Sequence, residues 1–456
     1  MGVLKKIKYI LNSKIGIDKT IGYTLSAKTI QAVGSIVSLS LIALFLSKEE
    51  QGFYYTFGSI LAIQMFFELG FNSIITQYAA HESAYISKYE ISTNEIELKA
   101  QSRLSSLLRF CIKWFSILSI GLFITLLVVG NVFFKKYGHG INVNWQLPWL
   151  FLVINTCFAF VLSPLLSFLE GIGRIKDMSK IRLIQQTVNL IVLWTMLSLD
   201  GKLYSAPIAG MCSLLVAFII LLFSDFRTIL IKIWNLIDKW KVNYKNEIFP
   251  FQWKIAISWI SGYFIFQLFN PVLFATDGAV VAGQMGMTLA VLNGLQSLSM
   301  SWISTKVPLF SNLIALKNFK RLDEIFKTTL KQSVSILALG LFIMFLCIYF
   351  IRYFHIIVNG MLIGERFLDY LPMFLMMAAL ILNQFSFSWA SYLRCHKQEP
   401  YLLMSIVTGV LCILSTIFIG KYFGVIGITL GYFLITFCSV IWAYRTFLRK
   451  KHEWHS

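Results

Sequence analysis

The feature that most constrains this sequence is the recurrence, from end to end, of apolar stretches about 20 residues long. A helix of about 20 apolar residues is long enough to cross the hydrocarbon core of a membrane, which is about 30 Å thick. Of the 456 residues, 57% are hydrophobic and only 13% are charged, whereas soluble domains carry about 25% charged residues. The sequence therefore predicts an integral membrane protein built from helices.

Twelve stretches are apolar and long enough to be transmembrane spans. They cover residues 21–46, 53–79, 110–130, 147–169, 182–199, 205–223, 255–276, 279–303, 333–351, 370–391, 400–419 and 424–444. The first stretch is about 26 residues long, which exceeds the apolar core of roughly 7 to 15 residues in a cleaved signal peptide. We therefore expect it to remain as the first helix of an all-α fold.

The distribution of basic residues sets the predicted orientation. With the N-terminus inside, 31 of the 40 Lys and Arg residues fall in cytoplasmic segments, seven in external segments, and Lys28 and Lys113 inside spans. Cytoplasmic loops of membrane proteins carry such an excess of Lys and Arg. The sequence therefore predicts that both termini are cytoplasmic, and it assigns the net charge of +19 to membrane topology rather than to nucleic-acid binding.

A match between two segments of the chain predicts the domain organisation. Residues 147–169 align with 371–393 at a constant shift of 224, and the same shift superposes further spans. We expect two six-helix bundles, at 1–223 and 255–456, joined by a basic cytoplasmic linker at 224–254. Because six is even, both halves should face the same way, as in a parallel repeat, with substrate between them.

The linker has the pattern of an amphipathic helix at the inner membrane surface. Apolar residues recur in it at helical spacing, with lysines between them. These apolar residues are Phe226, Ile229, Leu230, Ile233, Trp234, Ile237 and Trp240.

Polar side chains inside the first two spans are the main candidates for a substrate site, because such groups are costly in a membrane. Lys28 and Gln31 lie on one face of the first helix, and Gln64, Glu68 and Asn72 lie on one face of the second. At about 1.5 Å per residue, Lys28 and Glu68 have similar depths. Either they form a buried ion pair that fixes helix packing, or they bind substrate. In the second case Lys28 offers positive charge to an anionic head group, and Glu68 orients that group or titrates with coupling protons.

The second half has weaker candidates. Polar residues in its spans are Gln267, Asn270, Asn293, Gln296, Asn383 and Gln384, and Lys306 follows the eighth span. Such amides more often form hydrogen bonds between helices, worth well under about 2 kcal/mol each, than contacts to ligand. For Lys306, extension toward the membrane surface is the ordinary alternative to substrate binding.

Catalytic, metal and cofactor signatures are lacking in the sequence. It contains no D-x-D, G-x-S-x-G, Walker A or H-E-x-x-H motif. We interpret His452 and His455 as part of a solvated tail. The sequence predicts neither an enzyme nor a resident cofactor, and without a nucleotide site any energy must come from an ion gradient or from the substrate's own gradient.

Three stretches resemble the Wzx-type polysaccharide flippases, which belong to the superfamily that also contains the multidrug and toxin extrusion (MATE) antiporters. They are LSKEEQGFYYTFGSILAIQMFFELGFNSIITQYAAHE (46–82), SFLEGIGRIKDMSKIRLIQ (167–185) and the segment from PFQWKIAISW to TKVPLF (250–310). The resemblance implies a MATE-like fold that moves polyprenyl-diphosphate-linked oligosaccharides to the outer leaflet of the bacterial cytoplasmic membrane, for O-antigen, capsule or other surface polysaccharide. It also implies membrane lipids as partners, with a polysaccharide polymerase and assembly proteins as further candidates.

Two alternatives stay open from the sequence. A drug or cation antiporter of the same fold would need buried carboxylates, and Glu68 is the only acidic residue well inside a predicted span. A membrane glycosyltransferase or polymerase would need sizeable external loops with acidic or arginine residues, and the predicted external loops are short and poor in both.

Overall fold

The computed structural model describes residues 34–35, 37–86, 94–236, 240–358, 361–396 and 398–455. Its helices are α1 (37–45), α2 (Lys48–Leu61), α3 (Met65–Glu68), α4 (Phe71–Ser83), α5 (Glu95–Tyr137), α6 (Gln146–Gly171), α7 (Ile175–Ser198), α8 (Ser205–Phe223) and α9 (Asp225–Trp234) in the first half. Single 3₁₀ turns at Ala62–Gln64 and Lys202–Tyr204 precede α3 and α8.

The second half continues with α10 (Phe249–Phe266), α11 (Phe269–Thr276), α12 (Ala279–Ser304), α13 (Val307–Ala315), α14 (Phe319–Tyr353), α15 (Tyr370–Arg394), α16 (Leu402–Leu414) and α17 (Gly420–His455). π-helical turns at Tyr244–Ile248 and Ser415–Ile419 lead into α10 and α17. A two-stranded antiparallel hairpin, β1 (Ile357–Val358) and β2 (Met361–Leu362), and a 3₁₀ turn at Ile363–Arg366 fill the connection from α14 to α15.

Seven helical segments of the described chain are long and apolar enough to cross a membrane, which identifies a multi-pass membrane protein. An eighth is added if the bent pair Lys48–Glu68 and Phe71–Ser83 is one span. One of the seven, Leu402–His455, contains two predicted spans joined at Gly424. The helices α7 and α12 coincide with predicted spans but are too polar on average to be counted. The count of twelve and the cytoplasmic termini remain predictions.

The second predicted span, 53–79, is not one continuous helix. It is interrupted after Glu68, and the two parts are bent by 42°. Leu69 and Gly70 adopt positive φ angles of 50° and 68°. Glycine has no Cβ and occupies this region readily, whereas leucine does so rarely. The periodicity of the side chains does not predict this break. The break leaves Glu68 at the end of a helix.

The described chain forms two compact units. The first unit is built mainly from Phe67–Val129 and Gln146–Trp253, and the second from Ser35–Phe66, Gly130–Trp145 and Lys254–Ser456. The core of the first includes Leu166, Leu169, Met178, Ile181 and Leu221. The core of the second includes Ile303, Phe310, Leu322, Phe326, Tyr392 and Leu393. The predicted division into bundles at 1–223 and 255–456 remains a prediction.

Within the second unit, α2 and α12 approach closely at a pair of glycines. A Cβ added to Gly52 would lie 2.0 Å from the carbonyl oxygen of Ala279, and one added to Gly283 would lie 2.9 Å from the backbone nitrogen of Gly52. Small residues permit such backbone contact between membrane helices. Gln51 secures the same contact by donating a hydrogen bond to the Gly283 carbonyl at 2.9 Å.

Replacing Gly52 with alanine is expected to destabilise the protein by about 1–3 kcal/mol, because α2 must move away from α12 to make room. The melting temperature of the purified protein in detergent measures the effect. Gly58 on the same helix is the control, since a Cβ added there meets no heavy atom within 4 Å. If Gly52→Ala and Gly58→Ala melt at the same temperature, the close approach of these helices is wrong.

Candidate functional site

Two of the predicted site residues, Lys28 and Gln31, lie outside the described residues. The pairing of Lys28 with Glu68 therefore remains a prediction.

The break in the second predicted span brings polar groups of the first unit together. Asn72 donates hydrogen bonds from Nδ2 to Glu68 Oε1 at 2.8 Å and to Ser163 Oγ on α6 at 3.1 Å. One turn further on, Thr76 Oγ1 donates to the Ser167 carbonyl at 3.1 Å. The Asn72 Oδ1 atom is buried and accepts no hydrogen bond from the described residues. Glu68 is thus held by a neutral amide that still has an acceptor available.

The candidates in the second unit do not form one cluster of hydrogen bonds. Asn270 is buried and donates to Ser59 Oγ on α2 at 3.2 Å. Gln64 and Gln267 are half-buried, and Asn293 and Lys306 are exposed. Gln296 is half-buried, and its buried Nε2 finds no acceptor among the described residues. Of these candidates, Asn270 is the one whose side chain is fixed by a hydrogen bond to another described residue.

Two amides of α15 form the hydrogen bonds between helices that the sequence predicts. Gln384 is buried and donates to Ser299 Oγ on α12 at 2.9 Å and to Ser333 Oγ on α14 at 2.6 Å. Asn383 donates to the hydroxyl of Tyr432 on α17 at 2.8 Å. Both amides therefore make interhelical hydrogen bonds of the kind that the sequence predicts.

The sequence analysis missed a cavity in the second unit that is lined by both hydroxyl groups and apolar side chains. It has a volume of about 170 Å³ and lies among α10, α15, α16 and α17. We call it the hydroxyl-lined cavity, and its polar lining is Ser258, Asn383, Ser386, Arg394, Ser405, Thr408, Thr436 and Ser439. Phe266, Phe387 and Tyr401 also line it. No aspartate or glutamate is among the described residues that line it.

The hydroxyl groups in this cavity differ in how far they are satisfied. Thr408 Oγ1 and Ser439 Oγ lie 2.9 Å apart and share a hydrogen bond. The hydroxyls of Ser258, Ser386 and Ser405 line the cavity and have no hydrogen-bond partner in the part of the chain that the structure describes. Each such hydroxyl offers one donor and two acceptor positions. The cavity can therefore bind a ligand that both donates and accepts hydrogen bonds.

Sequence reasoning named Asn383 but could not single out the serines and threonines of this cavity. Serine, threonine and glycine are common wherever membrane helices pack closely, so each one reads as a packing residue. The signal is spatial, because α10 contributes to one lining together with three helices that begin more than 100 residues further along the chain.

Three charged side chains of the first unit, one of them the linker residue Glu247, form an ion-pair network. Arg103 on α5 donates from Nε to Glu82 Oε1 at 2.9 Å and from Nη2 to Glu247 Oε2 at 2.5 Å. Glu82 is buried, and the hydrogen bond from Arg103 lowers the pKa of Glu247 below its ordinary value. Tyr78 adds a hydrogen bond to the Glu247 carbonyl. The network joins the end of α4, the start of α5 and the turn before α10.

The predicted amphipathic helix of the linker is shorter than its pattern. The helix α9 ends at Trp234, and Trp240 is not helical. Side chains of α5 instead bind the linker backbone: Arg109 donates to the Trp234 carbonyl, and the Trp240 N–H donates to Ser102 Oγ at 2.8 Å. These bonds compete with helical ones, which explains why the apolar repeat does not continue as helix.

The interpretation of the C-terminus as a solvated tail is wrong. The helix α17 continues to His455, whose ring stacks on Phe319 with centroids 4.0 Å apart. Its Nε2 lies 3.2 Å from Nε2 of His396. Asp323 accepts from Tyr392 at 2.8 Å and pairs with Lys451 at 2.8 Å. The tail is therefore packed against the second unit.

This packing is expected to weaken in acid. His396 Nδ1 faces the Tyr392 carbonyl, which can only accept, so Nε2 of His396 accepts from His455. Burial lowers the pKa of His396. When the tail is undocked, His396 is no longer buried and takes up a proton as pH falls through about 6.5. The docked state therefore loses stability below that pH.

Hydrogen exchange of residues 440–455, corrected for its intrinsic pH dependence, measures the docking. We expect less protection at about pH 5.5 than at about pH 7.5, and a His396→Gln variant should lose most of this difference. The histidine pair also faces the charges of Asp323 and Lys451. Equal protection at both pH values in the unaltered protein would contradict the role of the pair.

The fold has clear relatives among solved structures. The chain is similar to the MATE multidrug transporter DinF-BH (TM-score 0.58, 14% identity, covering 94% of this chain and 95% of that one). It is also similar to an inward-facing MATE family transporter of the MOP superfamily (TM-score 0.54, 15% identity, 91% and 98% covered). A third is the lipid II flippase MurJ in an inward closed conformation (TM-score 0.53, 15% identity, 94% and 89% covered).

These similarities show that the chain has the fold shared by MATE transporters and the lipid II flippase. At 14–15% identity they establish the fold alone. No protein-family profile matches the chain, and no curated protein sequence matches it.

Proposed function

We propose that this protein is a flippase that carries polyprenyl-diphosphate-linked oligosaccharide repeat units from the cytoplasmic to the outer leaflet of a bacterial cytoplasmic membrane by alternating access. A diphosphate that bears sugars would lose many hydrogen bonds with water in hydrocarbon, at a cost of several kcal/mol for each unsatisfied group. A protein with polar groups inside apolar helices lowers that cost while the polyprenyl chain stays in the bilayer. The repeat units would serve surface polysaccharide synthesis.

The observation that carries this proposal is the hydroxyl-lined cavity. Its described lining is rich in hydroxyl groups and lacks carboxylates, which suits an uncharged, hydroxyl-rich group better than a cation. The fold adds support, because one of the similar structures is a lipid II flippase. Transport also accords with the lack of any cofactor or metal motif in the sequence.

A drug or cation antiporter is the second candidate, favoured by the likeness to MATE transporters. Such a protein needs carboxylates to hold cations. Glu68 is the only acidic residue well inside a predicted span, and its carboxylate already accepts a hydrogen bond from Asn72. We therefore place the antiporter second.

Deleting the gene and following the lipid-linked repeat units in the source cell tests the proposal. We expect the units to accumulate on the cytoplasmic leaflet and the surface polysaccharide to be lost. If single units instead reach the outer leaflet and fail to polymerise, the proposal is wrong and an external polymerase is favoured. Polymerase and assembly proteins are proposed partners, and purification of the tagged protein with its neighbours would identify them.

A further inference from the structure

The hydroxyl-lined cavity is close in size to a single sugar ring. Its volume is about 170 Å³, whereas sites for drug-sized ligands span about 300–1,000 Å³. A water molecule takes about 30 Å³ of liquid, so the cavity exceeds the needs of one or two bound waters. A Cβ added to Gly262, which lines the cavity, meets no heavy atom within 4 Å. This face of α10 is therefore open to a ligand.

The lining combines the two kinds of group that a pyranose ring requires. Ser258, Ser386 and Ser405 supply hydroxyls that are without hydrogen-bond partners in the described chain. Phe266 and Phe387 supply two rings with centroids 6.2 Å apart and planes at 54°. The faces of aromatic rings carry partial negative charge and attract the polarised C–H groups of a sugar. Hydroxyls and aromatic rings thus occur together in the lining of one small cavity, as both surfaces of a sugar require.

The charge of the cavity favours a neutral ring. Its one charged residue among the described lining, Arg394, donates two hydrogen bonds of 2.8 Å to the carboxylate of Glu399. Both side chains are exposed, Arg394 to 56% and Glu399 to 38%, so the pair lies in contact with solvent. Even there, the fork satisfies both carboxylate oxygens and offsets the charge of the guanidinium. A cationic ligand would find no carboxylate among the described lining residues, and an acidic sugar would have to displace Glu399.

We propose that the hydroxyl-lined cavity binds one uncharged sugar ring of the transported saccharide, and that the Arg394–Glu399 pair excludes acidic sugars. This inference rests on the proposed flippase function. It assigns the selection of the sugar to residues within the second unit alone. Gly262 and the three serines determine whether a ring fits, and Glu399 determines which charge is accepted.

Saturation-transfer NMR on the full chain in detergent tests the binding. The probes are the methyl glycosides of glucose, galactose, mannose and N-acetylglucosamine, with methyl glucuronide as the acidic counterpart. We expect transfer to the ring protons of at least one neutral glycoside and none to the glucuronide. Gly262→Phe should reduce the neutral signal about tenfold by filling the cavity. Leu434→Phe, at a position 51% exposed on α17, is the size-matched control and should keep it.

Glu399→Gln provides a second readout that a folding defect cannot imitate. It frees Arg394, so this variant should gain transfer to methyl glucuronide. Signals from none of the four neutral glycosides in the unaltered protein, or an undiminished signal in a folded Gly262→Phe variant, would overturn the inference. A reconstituted protein that flips labelled glycolipid without these sugar signals would refute this inference alone. Sugar signals without flipping would refute the proposed function alone.

Discussion

Replacing Gly262 with phenylalanine is expected to reduce glycolipid translocation to about a tenth of that of the unaltered protein or less. Gly262 faces open space in the hydroxyl-lined cavity, so the new ring enters the cavity instead of colliding with a neighbouring helix. Filling the cavity removes the place of the sugar without removing any hydrogen bond of the fold. The initial rate of translocation in reconstituted vesicles measures the effect.

Two controls make this result specific. Gly262→Ala adds one methyl group and replaces glycine by a better helix former, so it should keep both stability and most of the transport. Thermal unfolding and size-exclusion chromatography show whether Gly262→Phe is folded. A folded Gly262→Phe protein that translocates at the normal rate would show that the cavity has no part in transport.

Replacing Arg103 with alanine should cause the largest loss of stability, about 3 kcal/mol, because it leaves the buried carboxylate of Glu82 with only the exposed ring of His81 nearby. The side chains of Glu82, Arg103 and Glu247 are 7%, 19% and 31% exposed, so the network is mostly shielded from water. The loss is measured by chemical unfolding in detergent, followed by tryptophan fluorescence. Arg227→Ala, at an exposed position of the same unit, should have little effect.

The network also predicts the direction of a pH effect. Arg103 depresses the pKa of Glu247 in the folded protein. Its stabilisation is therefore complete above the unfolded pKa of about 4.3 and is lost as pH falls through the folded value. The difference between the unaltered protein and Arg103→Ala should accordingly shrink below about pH 4. A difference that stays constant down to about pH 3 would argue against the ion pair with Glu247.

The sequence predicted the helical class well because its signal is local. Runs such as 147–169 and 205–223 are apolar throughout, and the structure contains helices Gln146–Gly171 and Ser205–Phe223 at these places. The break at Leu69–Gly70 was not predicted, because a single pair of positive φ angles does not alter side-chain periodicity. The end of α9 at Trp234 was not predicted, because the competing hydrogen bonds come from residues of α5 that lie more than 100 positions earlier in the chain.

The candidate site was predicted less well, because polar residues in membrane helices serve both packing and binding. The amide of Asn72 does lie beside Glu68, as their spacing of four residues suggests. By contrast, Gln384, another amide inside a predicted span, donates hydrogen bonds to Ser299 and Ser333. The serines of the hydroxyl-lined cavity are scattered from 258 to 439, and only the folded arrangement shows that their hydroxyls share one space.

The central claim is that the protein moves a lipid-linked saccharide across the bilayer, and one measurement tests it most directly. The purified protein is reconstituted into vesicles that contain a polyprenyl diphosphate sugar with a fluorescent group on the sugar, and a membrane-impermeant reductant then quenches the outer leaflet. The account predicts protein-dependent loss of the protected fluorescence from the inner leaflet, and no gradient-driven movement of a cationic dye such as ethidium. Dye movement without glycolipid movement would contradict the account and favour a cation antiporter.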